Sequence, residues 1–364
     1  MARRALRIYA GPKAWQHIRK HGLGPQDIRV IPGAAGGPKG LVLGALDRFI
    51  FGKWMTRSTQ PVDLVGASIG AWRLATACLD EAVPAFERLE RDYIAQDFGL
   101  GPDRKMPSAR QVSERFAQDL QSFYGGRVGQ VLQHPRYRLH VVTSRGRHVL
   151  SREHRVGTPL GYLGAYVSNS LHRRALGGWL ERVVFSTGPQ PEALTLPFDD
   201  GDFRTRQVPL TEANFFPALQ ASCSIPFVLQ AVHDIPGAPK GAYWDGGITD
   251  YHLHLDYAAA HPRGLVLYPH FQKAVVPGWL DKALRWRHGA TAFLDTTIVL
   301  APDPDWVRSL PNGKLPDRND FTRYAGDLPA RMQAWTRAAA AGRQLAEEFA
   351  AWADSGDAAL VERL

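Results

Sequence analysis

The chain has 364 residues, 45% of them apolar and 22% charged, ordinary proportions for a globular protein, which exclude a largely disordered chain. That length suits one large α/β domain or two modest ones. The net charge of +9 is spread along the chain with no long basic block. No zinc-ligand spacing and no aromatic stacking motif accompanies it, so nucleic acid is not an expected partner.

Two cysteines, Cys78 and Cys223, cannot build a disulfide framework and fit a reducing compartment. Cys78 lies in an apolar stretch and reads as a small buried residue. The first twenty residues carry Arg3, Arg4, Arg7 and Lys13 without an apolar run of signal-peptide length. No window approaches the length of a membrane span. A cytoplasmic protein is expected, with peripheral contact at a membrane as an open addition.

Short apolar runs alternate with helical patterns in the first half, the mark of β-α-β units around a mostly parallel sheet. Ile28 to Pro32 predicts a buried strand, followed by the glycine-rich turn Gly33 to Gly37 and a helix that Pro38 can open. Val62 to Val65 predicts the next strand, then a tight turn through Gly66 to Gly70 and an apolar helix to about Leu79. Residues 83–98 and 108–124 read as helical. Leu139 to Ser144, Val183 to Ser186, Gly264 to Tyr268 and Thr297 to Leu300 read as strands. Val276 to Phe293 mixes Trp279, Leu280, Leu284 and Trp286 with Lys282, Arg285, Arg287 and His288. It reads as a basic, aromatic helix that either faces the core or lies on an anionic surface. From Asp327 to about Asp354 one more helical run is expected, capped by Asp327 and weakened at Gly342. By domain, residues 1–27 read as an N-terminal extension, 28–260 as the core, and 261–364 as strands and helices completing or covering it.

Three motifs carry chemistry. In Gly66-Ala67-Ser68-Ile69-Gly70 the serine would occupy a strained strand-to-helix turn, and glycines two positions either side remove side chains that would collide there. The helix that follows turns its positive end toward Ser68, favouring developing negative charge. The alternative for this turn is an ordinary β-α connection with a capping serine. In Gly33-Ala34-Ala35-Gly36-Gly37-Pro38-Lys39-Gly40 a glycine-rich loop before a helix presents bare backbone N–H groups. Gly40 stands where a Walker loop needs Ser or Thr, and Ala35 and Pro38 occupy the second and third glycine positions of a dinucleotide fingerprint. An oxyanion hole built from the Gly36 and Gly37 amides fits best. Lys39 steadies that loop or faces anionic substrate. In Tyr243-Trp244-Asp245-Gly246-Gly247 a carboxylate stands where a strand ends; the glycines would permit unusual backbone angles and leave space beside it.

In this order the three motifs resemble the patatin-like phospholipase family, with its G-G-x-[K/R]-G loop, G-x-S-x-G elbow and Asp-Gly-Gly motif. A fourth match is Ala221-Ser222-Cys223-Ser224-Ile225-Pro226-Phe227, similar to the family's A-S-x-A-x-P segment with Ser224 in place of its second alanine. The family often reads Asp-Gly-Gly-Gly where this chain has Ala34-Ala35-Gly36-Gly37. The resemblance spans roughly residues 28 to 255. It implies a three-layer α/β/α sandwich and a Ser68–Asp245 dyad without histidine, Gly36 and Gly37 as oxyanion donors, and Lys39, Gly40, Gly66, Gly70, Gly246 and Gly247 as supporting positions. It further implies hydrolysis of lipid acyl esters (phospholipids, lysophospholipids or neutral esters); separately, the residue pattern indicates no metal, and no cofactor is expected. Two readings stand beside it. One is a Ser-Asp-His triad of an esterase or thioesterase, with His270, or else His252 or His254, as the base. The other is a regulated signalling or effector module with latent hydrolase activity. His252 and His254 lack a nearby third ligand pattern for a metal.

Overall fold

The computed structural model describes residues 4–97, 107–188 and 194–364. Arg3 and the last residue of the expected 83–98 helix lie outside them. The described strands are β1 (Leu6–Ala10), β2 (Ile28–Gly33), β3 (Val62–Ala67), β4 (Tyr137–Gly146), β5 (Leu180–Ser186) and β6 (Thr205–Pro209). They continue with β7 (Val232–His233), β8 (Ala242–Asp245), β9 (Leu265–Pro269), β10 (Thr297–Pro302) and β11 (Val361–Arg363). All join one sheet in the order β11-β1-β10-β9-β2-β3-β4-β5-β6, with β8 pairing β4 and β7 pairing β8 off that path.

The run β10-β9-β2-β3-β4 is parallel throughout. Antiparallel pairs occur only outside it, at β1 with β10, β4 with β5, β4 with β8, and β7 with β8. Side chains alternate between two apolar layers, as a strand's period of two requires. Ile31, Val62, Leu64, Leu139 and Val141 face one core, while Val30, Val65, Ala67 and Val142 face the other; an irregularity between Ile28 and Val30 turns Ile28 to the first core as well. Both faces are therefore covered, which makes the molecule an α/β protein with a mostly parallel central sheet between helical layers.

Three sequence expectations change. Residues 6–10, set apart as part of an extension, form a strand between β10 and β11 in the same sheet; Leu6, Ile8 and Ala10 supply buried apolar side chains there. The run 327–354 is two helices, Leu328–Ala341 and Arg343–Ser355. They part at Gly342, where a β-carbon would come 2.2 Å from the Val42 carbonyl oxygen. Asp327 does cap the first, accepting from the Ala330 amide at 3.0 Å.

The third change concerns residues 276–293, which form no long helix but three short 3-10 turns, Trp279–Asp281, Arg285–Arg287 and Ala292–Leu294. The buried Asp281 carboxylate organises them. It accepts from Asn169 Nδ2 at 2.8 Å, from Arg173 at 2.9 Å and from Arg287 at 2.8 Å. A carboxylate buried in this way is tolerable only with such partners, and meeting them bends the segment away from helical geometry.

Candidate active site

Sheet register brings the serine and the aspartate together. Ala67 of β3 pairs with Val142 of β4, and the next β4 residue, Thr143, pairs with Asp245 of β8. Ser68 is the residue after Ala67, so it emerges at the carboxyl end of parallel strand β3, where α/β sheets place their ligands, and antiparallel β8 brings Asp245 beside it. Ser68 Oγ donates to Asp245 Oδ2 at 2.7 Å although the two are 177 residues apart.

The turn at Ser68 is strained. Its φ of 56° and ψ of −132° lie where a residue with a β-carbon rarely sits, a cost of roughly 1–3 kcal/mol. The Ser68 hydroxyl makes no capping bond to the helix Ile69–Ala77, which disposes of the capping-serine alternative. Close packing holds the turn in place. A β-carbon on Gly70 would sit 1.8 Å from the Gly33 carbonyl oxygen, and one on Gly66 2.4 Å from Ala71 Cα. The Ser68 amide donates to Ser222 Oγ at 2.9 Å, and Ser222 Oγ donates to the Val142 carbonyl at 2.7 Å. Ser222 is thus a strut between the helix Phe215–Cys223 and the elbow; the sequence flagged its segment without assigning it this task.

Asp245 is held from three sides. Its Oδ1 accepts the Gly247 amide at 2.7 Å, and its own amide donates to the Ser224 carbonyl at 2.9 Å. The Ser144 hydroxyl donates to its carbonyl oxygen at 3.0 Å. Gly246 and Gly247 serve by their missing side chains and not by unusual backbone angles, since neither has positive φ. A β-carbon on Gly246 would lie 2.1 Å from the Val142 carbonyl oxygen, and one on Gly247 2.6 Å from Ala35 Cβ. Burial raises the Asp245 pKa, an effect that the positive charge of Arg318 and the bonds from Ser68 and Gly247 only partly oppose. The neighbouring Cys223 thiol is pushed well up by burial and by the Asp245 charge, so it is a neutral neighbour.

The glycine-rich loop approaches from β2. The Ala35 amide is already bonded to the Tyr251 carbonyl at 3.0 Å. The next two amides, of Gly36 and Gly37, stand at the start of the 3-10 turn Gly37–Leu43, where helical geometry supplies no carbonyl partner. Gly37 has φ of 57°, a left-handed conformation that a side chain would oppose. A β-carbon on Gly36 would strike the Phe271 ring at 2.5 Å. Gly40 is less constrained, its nearest neighbour being Arg73 Cδ at 3.5 Å. The Lys39 ammonium lies over the Phe271 ring, 5.0 Å from its centroid.

Two cavities meet here. One, of about 540 Å³, is largely apolar; Ser68 and Gly37 line it together with Trp72, Phe116, Ile225 and Phe227. The other, of about 290 Å³, is lined by Asp245, Gly36, Lys39, Lys282 and Arg318. Arg318 borders both. Much of the Lys282 surface is exposed, but its ammonium sits over the Tyr251 ring at 4.2 Å. Burial, with Lys39 and Arg318 nearby, pushes its pKa down to about 8. Arg318 and the inward role of Lys282 were not foreseen, because no local motif marks a cation contributed by a distant loop.

The histidines lie elsewhere. His254 bonds the Val275 carbonyl at 2.9 Å and Thr291 Oγ1 at 2.8 Å. His252 bonds the Ala274 carbonyl and His270 the Gln272 carbonyl, and the two rings lie edge to face behind Phe271. Burial lowers His270 to about 3, leaving a neutral imidazole of little basicity. Among the described residues, no histidine hydrogen-bonds Ser68 or Asp245.

Compared with protein-family models and with curated proteins, the sequence matches none. Among solved structures it is similar to human GIVD cytosolic phospholipase A2, at 13% identity and a TM-score of 0.42, over 96% of this chain. The alignment spans 63% of that protein, less than two thirds of its length. It is also similar to VipD from Legionella pneumophila, at 14% identity and a TM-score of 0.31, covering 78% of this chain and 56% of that one. At these levels neither likeness assigns an activity to the chain.

Proposed function

We propose that this protein is a serine acyl hydrolase acting on lipid acyl esters through a Ser68–Asp245 dyad. The observation that carries the reading is the direct 2.7 Å hydrogen bond from Ser68 Oγ to a buried carboxylate, made from a strained turn at the meeting of an apolar and a cationic cavity.

In this reading the acyl chain lies in the apolar cavity and places its carbonyl carbon at Ser68 Oγ. Oγ attacks as its proton passes to Asp245 Oδ2, and negative charge develops on the carbonyl oxygen facing the Gly36 and Gly37 amides. Collapse of the tetrahedral intermediate breaks the ester C–O bond, and Asp245 returns the proton to the leaving alkoxide. A water then gives its proton to Asp245 and attacks the acyl-enzyme; the acid leaves as Ser68 recovers its proton. An unperturbed carboxylate, with a pKa near ~3.9, is a weak base. The raised pKa of Asp245 brings it closer to a working base at neutral pH. Lys39, Lys282 and Arg318 favour esters whose non-acyl portion is anionic.

The test is fatty-acid release from phosphatidylglycerol, lysophosphatidylcholine and a short neutral ester by the wild type and by Ser68→Ala. Release by the wild type that vanishes in Ser68→Ala is expected. Equal release by both, or none from any acyl ester, would contradict the reading.

A further inference from the structure

The helix Gly157–Leu171 has apolar residues on both sides. Its inward face buries Tyr162 and Ala165 against the body. Val156, Leu160, Leu163, Val167 and Leu171 follow one another at helical spacing along the other side, and each is between 52% and 83% exposed. A soluble surface helix ordinarily turns polar residues outward. A contiguous exposed apolar stripe of this kind marks an interaction surface.

Three further observations say what covers it. First, the stripe is joined to the mouth of the apolar cavity. The Tyr162 ring meets the Phe227 ring edge-on at 6.0 Å, and Phe227 and Val228, both substantially exposed, line the cavity that ends at Ser68. Second, the stripe is framed by cations. Exposed Arg155 precedes it and exposed Arg174 follows it, with no acidic residue between positions 157 and 180. Third, Arg287 donates to the Ser170 carbonyl at 3.3 Å. This contact sets the neighbouring Trp286, 73% exposed, and exposed Arg285 beside the helix's last turn. Apolar side chains, an exposed tryptophan and a basic rim together match a bilayer interface carrying anionic headgroups. A second copy of this chain fits less well, because a two-fold contact through this face would set one basic rim against another.

We infer that the Gly157–Leu171 helix, with Phe227, Val228 and Trp286, seats the protein on an anionic lipid bilayer and opens the Ser68 cavity directly onto it. The meaning of that opening rests on the acyl-hydrolase reading; the membrane seat itself does not. The surface differs from the expectation for residues 276–293, which contribute one tryptophan and its arginines but no helix.

The test compares the wild type with the triple variant Leu160→Gln, Leu163→Gln, Val167→Gln and with Arg155→Gln, Arg174→Gln. All five positions lie outside both cavities. Sedimentation is measured with vesicles of phosphatidylcholine alone and of phosphatidylcholine mixed with phosphatidylglycerol. The wild type is expected to prefer the anionic vesicles, and the triple variant to lose about tenfold or more of that partition. The arginine variant should lose the preference for anionic vesicles. Circular dichroism and hydrolysis of a water-soluble ester should stay at wild-type levels in all variants. Wild-type partition by the triple variant, or equal partition of the wild type to both vesicle types, would overturn the inference. So would a wild-type dimer that the triple variant converts to monomer, since the face would then belong to a second copy. Vesicle binding as expected without any Ser68-dependent ester hydrolysis would sink the hydrolase reading and leave the membrane seat standing.

Discussion

Replacing Asp245 by asparagine separates its role as a base from its role in the fold. The side chain keeps its size, and its Oδ1 can still accept the Gly247 amide now bonded at 2.7 Å. The other oxygen, which takes the Ser68 hydrogen at 2.7 Å, becomes an NH2 group that can donate to Ser68 Oγ but cannot receive its proton. A positioned general base contributes about 10²–10⁴ in rate, or about 3–6 kcal/mol of barrier at ~1.4 kcal/mol per decade. Asp245→Asn should therefore lose about two to four decades of kcat/KM on a soluble ester.

Stability should move the other way or not at all. The folded-state pKa of Asp245 is raised, chiefly by burial, so its charge at neutral pH opposes folding, and that opposition is absent below the unfolded-state value of about 3.9. The neutral amide removes it. Thermal unfolding followed by circular dichroism should give a Tm equal to or above the wild type's. A variant within tenfold of wild-type kcat/KM at unchanged Tm would refute the general-base assignment. A Tm lowered enough to unfold the enzyme at the assay temperature would refute the energetic argument.

Three other outcomes follow from the same geometry. Gly70→Ala places a β-carbon 1.8 Å from the Gly33 carbonyl oxygen. The elbow and the glycine-rich loop must then part, and ester hydrolysis should fall by about 10²-fold or more, the scale expected for a misplacement of about 1 Å. In pH profiles of kcat/KM the acid limb should lie above the ordinary aspartate value of about 3.9, because Asp245 must be ionised to accept a proton. An anionic ester should add an alkaline fall near the Lys282 value of about 8 that a neutral ester lacks. The same depressed pKa opposes folding while Lys282 is charged, and that penalty is relieved as pH rises through about 8. Finally, Arg182 is wholly buried and forks onto Asp250 at 2.8 and 2.7 Å. Arg182→Leu leaves that buried carboxylate only the longer pairing with Arg173, at 3.8 Å, and should cost about 3–5 kcal/mol by denaturant unfolding.

The elements that frame Ser68 were legible because their signals are local. β2, β3 and the helices after them follow from apolar runs bounded by glycine, and the strand near residue 139 was found, although β4 extends from Tyr137 to Gly146. The pairing of Ser68 with Asp245 was accessible only through the resemblance of ordered motifs. Nothing in the spacing of two residues 177 apart reveals that β8 inserts beside β4.

The misreadings also have physical causes. LRIYA is a strand that follows Arg3 and Arg4 and carries Arg7, so the segment reads as a basic arm. Residues 276–293 have a helix-like mix of aromatic and basic side chains, but the fold is decided by Asp281 and the three side chains that bond it. The Gly157–Leu171 helix escaped notice because it is apolar on more than one face, which blurs the period that marks an amphipathic helix. Lys39, Lys282 and Arg318 come from three separate stretches, so the cationic cavity exists only in three dimensions.

The central claim is that Ser68 is a nucleophile activated by Asp245, and trapping that oxygen tests it most directly. Incubation with a fluorophosphonate, followed by intact-mass and peptide mapping, should give one adduct on Ser68 in the wild type, none in Ser68→Ala and slower formation in Asp245→Asn. No adduct under any condition, or an adduct on a different residue, would contradict the account.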